Sequence, residues 1–275
     1  MKLSIINGWE EGHFRSVKEK GLSAVEFCVN HNYDSAEVLE NAEKIKKYSL
    51  KYGVEVASIG RWGMNRIDEN GDIISDALQH DKNLIDLASI LGCPVFNCGC
   101  NAVESKTFEE NCAIAIHYFS LLIEYAKAKN VKIAVYNCEW CNFVVDDRAW
   151  SVILGALPEL GLKYDPSHCC NRGGDHMKEL RDWGHRIYHF HIKGVLHIDG
   201  RTFDEPPAGL DQLNWGAIMT MLYCADYKGA LSIEPHSQYW HGAKGQWGID
   251  FTIQYMKKFI MPDNYADACT DPYMP

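Results

Sequence analysis

The architecture is legible in residues 93–136, CPVFNCGCNAVESKTFEENCAIAIHYFSLLIEYAKAKNVKIAVY. CPVFNC (93–98) and VKIAVY (131–136) are short apolar runs of strand length. Between them TFEENCAIAIHYFSLLIEYAKAK (107–129) is long and amphipathic, with Thr107 placed to cap its first turn. Strand, helix and strand in this order make a crossover unit whose two strands run parallel.

The alternation extends in both directions. Upstream lie LSIING (3–8), SAVEFC (23–28) and VEVASIG (54–60), each followed by an amphipathic stretch that stops at Gly21, Gly53 or Gly92. Ala36, Val38, Leu39, Ala42, Ile45 and Leu50 fall near helical spacing, and a further helix is predicted over 73–91. Downstream, LGLKYD (160–165), IYHFHIKG (187–194) and GALSIEP (229–235) are strand-like. Helical stretches follow them too, ending with GIDFTIQYMKKFI. Eight such units in 275 residues fit an α/β fold, a single-domain (β/α)8 TIM barrel. An open doubly wound sheet is the alternative, but no G-x-G-x-x-G or P-loop follows any strand. No internal linker is rich in Pro, Gly or Ser. Residues 1–260 therefore read as one barrel domain, and 261–275 as a polar C-terminal tail, disordered or laid against a neighbour.

Composition narrows the function. With 27 Lys+Arg against 37 Asp+Glu the formal charge is −10, which speaks against nucleic acid and anionic membranes as partners. No apolar run approaches the roughly 18 residues of a membrane span. The N-terminus carries one Lys and turns acidic after a short apolar run, unlike a signal peptide. Eleven cysteines, an odd number, are scattered through the chain. They read as reduced thiols in a cytoplasmic protein. Composition leaves a homo-oligomer possible.

In a parallel barrel the chemistry sits where strands end. Those positions hold Glu26, Asn97, Tyr136 and Asn137, Asp165 with His168 beyond it, His189, His191 and Lys193, and Glu234 with His236. Asp165, His191 and Glu234 close three successive strands, and their oxygen and nitrogen donors suit a divalent metal. A strand-end carboxylate can instead cap a helix or pair with a lysine, but three matching positions favour the metal. Asp165 in YDPSH also needs a strong partner, because it ends an apolar strand. A rival site is thiolate-based: Cys138 and Cys141 form a C-x-x-C that Cys169 and Cys170 could complete, though a lone C-x-x-C is a weak signal.

GLKYDPSH, YHFHIKG and GALSIEPH resemble the Asp-x-x-His, His-x-Lys and terminal Glu patterns of the xylose isomerase-like TIM barrels. That superfamily holds sugar isomerases and epimerases, inosose dehydratases and related endonucleases. The resemblance covers nearly the whole chain. It implies one divalent metal, Mn²⁺ foremost with Mg²⁺, Co²⁺ or Zn²⁺ as alternatives, held by Asp165, His191 and Glu234. It implies His168 and Lys193 in the substrate pocket, and it matches Glu26 to an acid at the end of strand two, where a substrate contact is expected. One departure stands out. Strand five in the family ends on a metal-binding Glu, and here Tyr136 takes that place. Glu139, three residues on, is the spare carboxylate that could supply a fourth ligand or a second acid/base group, with Tyr136 as a hydroxyl donor or general acid.

The long segment 197–216 after strand seven suggests a functional loop in which Arg201 recognises substrate and Asp204 or Glu205 answers it. Trp62 or Trp9 is expected to offer a sugar platform, and His236 a substrate contact. These residues point to a metal-dependent enzyme on a small carbohydrate, removing a proton next to a carbonyl through an enediolate. Returning the proton elsewhere makes an isomerase or epimerase. Expelling a β-oxygen group from a keto-sugar or keto-glycoside makes a lyase or dehydratase. An abasic-site endonuclease needs more ligands and a basic groove, and a non-catalytic sugar-binding barrel is the reading if Tyr136 has broken the site.

Overall fold

A computed structural model describes residues 1–262. The tail expected over 261–275 lies outside the described residues apart from Met261 and Pro262. The described residues form ten strands: β1 Lys2–Ile6, β2 Ala24–Cys28, β3 Glu55–Arg61, β4 Val95–Cys98, β5 Lys132–Tyr136, β6 Gly161–Tyr164, β7 Ile187–Ile192, β8 Leu196–Ile198, β9 Arg201–Asp204 and β10 Ala230–Ile233. Eight of them close into a parallel barrel in the order β1-β10-β7-β6-β5-β4-β3-β2. This is the (β/α)8 barrel expected from the alternation. β8 and β9 form a separate antiparallel hairpin inside the segment 197–216, which the sequence leaves as loop.

Local chemistry accounts for the elements. Helix Phe108–Lys127 starts at a capping box: the Thr107 hydroxyl accepts from Glu110 N, and the Glu110 carboxylate accepts from Thr107 N. The helix after β3 runs Ser75–Leu91, two residues short of the expected start, and Gly92 ends it in the left-handed region at φ 69°. The stretch after β2 is split at Asn41 into helices Ser35–Glu40 and Ala42–Tyr52. Phe14, Leu84, Phe119, Trp150 and Trp215 are buried between helices and barrel. The barrel interior is different. Ser4, Glu26, Ser58, Asn97, Lys163, His189, His191 and Ser232 are all buried polar or charged residues on its strands. A barrel stabilised by its outer apolar layer can hold that polar interior, which is where chemistry is available.

Candidate active site

β6, β7 and β10 are neighbours, and their ends bring Asp165, His191 and Glu234 together. Asp165 caps the short helix Pro166–Asn171: its Oδ1 accepts from Ser167 N at 2.9 Å. Its Oδ2 is buried without a hydrogen bond. Glu234 N donates to Ile192 O at 3.0 Å, which seats Glu234 beside the end of β7. One donor atom each from Asp165, His191 and Glu234 lies within 4.8 Å of the others. Lys193 projects into the same space. Its Nζ stands 3.2 Å from Asp165 Oδ2, 3.3 Å from Glu234 Oε2 and 3.2 Å from His168 Nε2.

Behind these groups lies a second layer. Glu26 Oε2 faces His189 Nε2 at 2.7 Å and His191 Nε2 at 2.8 Å, and all three side chains are buried. His191 Nδ1 faces Glu234 Oε2 at 3.0 Å. Burial works against charge on the His191 ring, but Glu26 and Glu234 win and hold it above the usual range. Burial pushes His189 below that range and His168 down to about 4. Burial opposes ionisation of Asp165 too, yet the Lys193 ammonium, helped by His168 and Lys163, brings it down to about 2. Lys193, with His191, likewise holds Glu234 well below the carboxylate range against its burial. The mouth therefore keeps its acids ionised. Because Glu26 is fully buried behind His191, it orients the imidazole and lies away from the open face, where the sequence led to the expectation of a substrate contact.

The remaining candidates divide. Trp62 is buried at the mouth, stacked on Tyr136 with centroids 5.2 Å apart and 6.4 Å from the His191 ring. Trp9 instead packs edge-on against Phe27 and Tyr33. The Tyr136 hydroxyl donates to Trp140 O at 3.0 Å, and burial drives the phenol above its ordinary range, so it is no phenolate ligand. Glu139 is exposed, and the structure does not bring it to the cluster. Asn142 explains this: its Nδ2 donates to Tyr136 O at 2.7 Å and Cys138 O at 3.1 Å, pinning the loop with Glu139 turned outward. Arg201 is exposed on the hairpin and does not reach the site. Glu205 pairs with His236 and stands 3.9 Å from Lys193, and Asp204 accepts from the Ser237 hydroxyl at 2.7 Å. Neither answers Arg201. Among the described residues no group of three potential ligands includes a cysteine, and the ten described cysteines are free thiols.

Sequence reasoning missed Lys163. It lies on β6 two residues before Asp165, hence on the same inward face, while Tyr164 between them turns to the helices and reaches Glu179 at 2.8 Å. The period-two alternation was the available signal.

The donor set fits a divalent cation. Asp165 Oδ2 is a buried anionic oxygen facing Lys193 at 3.2 Å, and it converges with a second carboxylate and an imidazole. With Nδ1 of His191 as ligand, Nε2–H is left to donate to Glu26, the carboxylate–histidine pairing that fixes a ligand's tautomer.

A family model described as "Xylose isomerase-like TIM barrel" matches residues 14–257. The chain belongs to this family. A sequence comparison with curated proteins gives no match. Solved structures resemble it over nearly its whole length. One is a D-allulose 3-epimerase from Methylomonas sp., 16% identical, covering 94% of this chain and 98% of that one at a TM-score of 0.75. Another is a 3-keto-D-glucoside 4-epimerase from E. coli, 15% identical, covering 94% and 99% at 0.73. A third is a mannonate dehydratase from Streptococcus suis serotype 2, 15% identical, covering 94% and 93% at 0.76. At these identities the likeness establishes the fold. Among the described residues of this family member, no helix is long and apolar enough to cross a membrane.

Proposed function

We propose that this chain is a divalent-metal-dependent sugar isomerase or epimerase that abstracts a proton next to a carbonyl and passes through an enediolate. One observation carries the reading: the donors of Asp165, His191 and Glu234 lie within 4.8 Å of one another, beside a lysine whose Nζ is 3.2 Å from Asp165 and 3.3 Å from Glu234. The similarity to epimerase and dehydratase structures supports the reaction class.

Asp165, His191 and Glu234 would hold the ion. Hard oxygen donors with one imidazole suit Mn²⁺ first, then Mg²⁺, Co²⁺ or Zn²⁺. When bound, the ion supplies Lewis-acid polarisation of the substrate carbonyl. The protein's own groups do the rest. The Glu234 carboxylate, 22% exposed at the mouth, takes the proton from carbon. Lys193 donates to the oxygen on which charge develops, and His168 accepts from the same ammonium and keeps it aimed. The edge of the Trp62 ring, whose face is stacked on Tyr136, would border the substrate.

A second reading, a carbon–oxygen lyase on a keto-sugar or keto-glycoside, is favoured by one feature. Tyr136 is tied to Trp140 O and Glu139 faces solvent, so neither supplies a second acid opposite Glu234 for a symmetrical two-acid epimerisation. The enediolate would then expel a β-oxygen. Either way the partner is a small carbohydrate, and the −10 charge argues against nucleic acid. Cytoplasmic residence is part of the same proposal.

The test is proton exchange. Manganese-loaded protein is incubated in D₂O with ketohexoses, 3-keto-glucosides and keto-sugar acids and followed by NMR. Deuterium should enter next to the carbonyl, with an isomeric sugar or an eliminated alcohol as product. Glu234→Gln should abolish exchange, and Glu139→Gln should stay within a few-fold of wild type. Folded, metal-loaded protein that exchanges none of these substrates would overturn the reading.

A further inference from the structure

We propose that Lys163 binds substrate and that the group it binds is a carboxylate, so that the substrate class is a sugar acid. The proposal rests on the carbohydrate reading of this site and deepens it.

Lys163 leaves β6 on the inward face and crosses the barrel mouth. Its Nζ lies 5.6 Å from the Trp62 ring, which follows β3, and β4 and β5 separate those two strands in the barrel. The residue is 1% exposed. Among the described residues its ammonium makes no hydrogen bond and no ion pair within 4 Å, and it lies over the Trp62 ring. Lys193 differs sharply, with Asp165, Glu234 and His168 around it. Asp165 and Glu234 feel this charge, but neither hydrogen-bonds to it, so the ammonium has room for an anion that a ligand can bring.

The placement of the acids points the same way. Asp165 and Glu234 face Lys193 at 3.2 and 3.3 Å, and Glu205 pairs with His236 at the rim. Among the described residues none of these carboxylates forms an ion pair with Lys163, and a substrate carboxylate would supply one.

The surroundings of Lys163 suit a sugar acid. Trp62 packs against Gly60, where a Cβ would come within 2.2 Å of the ring and 2.8 Å of Asn97 Oδ1. That Asn97 oxygen is buried without a partner, while its Nδ2 donates to Ser58 Oγ at 2.8 Å. The Lys163 cation and the unpartnered Asn97 acceptor thus both lie beside Trp62. They match a carboxylate and a hydroxyl of one ligand.

Calorimetric titration of the manganese-loaded protein tests this with D-glucuronate and D-gluconate, D-glucose and D-fructose, and D-fructose 6-phosphate. The acids should bind at least tenfold more tightly than the neutral sugars. Lys163→Met should remove that preference and leave neutral sugars within about twofold, with near-UV circular dichroism confirming the fold. Lys163→Gln serves if the methionine variant does not fold, and the comparison within wild type needs no variant. Equal binding of acids and neutral sugars by wild type would overturn the carboxylate assignment while keeping the carbohydrate reading. So would tightest binding of the phosphate, or a preference for acids that survives in Lys163→Met. Failure of every sugar to bind would overturn the carbohydrate reading itself, and this proposal with it.

Discussion

Replacing Lys193 with methionine should destabilise the metal-free protein by about 2 kcal/mol at pH 7. Asp165 is fully buried, and its carboxyl is brought from an ordinary 3.8 down to about 2 although burial pushes the other way; Lys193, 3.2 Å off, is the largest attraction responsible. A displacement of just under two pH units, at about 1.4 kcal/mol each, makes about 2 kcal/mol. Burial opposes this shift and His168 and Lys163 assist it, so the figure is the net of all of them, with Lys193 the largest attraction. At roughly 2.1 cal/mol/K of unfolding entropy per residue, that loss lowers Tm by about 4 °C. The sign with pH follows from linkage. Asp165 titrates lower in the folded chain than in the unfolded one, so the unfolded chain binds more protons as the solution is acidified. The stabilisation is complete above about pH 4 and disappears as pH falls toward 2. Thermal unfolding of both proteins in chelator, measured between pH 3 and 8, reads the difference directly. Equal Tm values at pH 7, or a deficit that widens on acidification, would refute the reasoning.

Asp81→Asn should cost about 3–5 kcal/mol in urea unfolding, because it strips the buried Arg66 guanidinium of the carboxylate 2.8 Å from its Nε. The double variant Asp81→Leu/Arg66→Met should lose less, and a larger loss than the single change would contradict the ion-pair account. Asp165→Asn with Glu234→Gln should lower bound manganese at least tenfold in elemental analysis, whereas Lys193→Met should retain it; equal metal in wild type and the double variant removes the proposed ligands. Gly60→Ala should push Trp62 off Tyr136, since the new Cβ falls 2.2 Å from the indole ring. Stability should fall by roughly 1–3 kcal/mol, and tryptophan emission should shift; an unchanged spectrum counts against the packing described.

Much of the site could be read before the chain was folded. Strand ends are local features, set by where apolar runs stop, and in a parallel barrel they all face one mouth. Asp165, His191, Glu234, Lys193 and His168 followed from that rule and do meet in the structure. Glu139 did not. Three residues past a strand end it looked within reach, but Asn142 bonds to the carbonyls of Tyr136 and Cys138 and turns the loop outward. Arg201 stood in a loop by sequence; pairing of β8 with β9 makes that loop a hairpin and leaves the guanidinium in solvent.

By itself, then, the sequence determined the repeat of strand and helix, the single barrel and the residue types at its mouth. These depend on periodicity and capping within a few residues of chain. The tertiary structure alone decided which side chains meet across the barrel. Glu26 comes to lie under His191 across 165 residues of chain, and Lys163 reaches the Trp62 ring from strands that do not touch. The physical reason is closure. Stagger between strands sets the height of each inward side chain, and tight packing outside holds the ring shut around charges that no local pattern pairs.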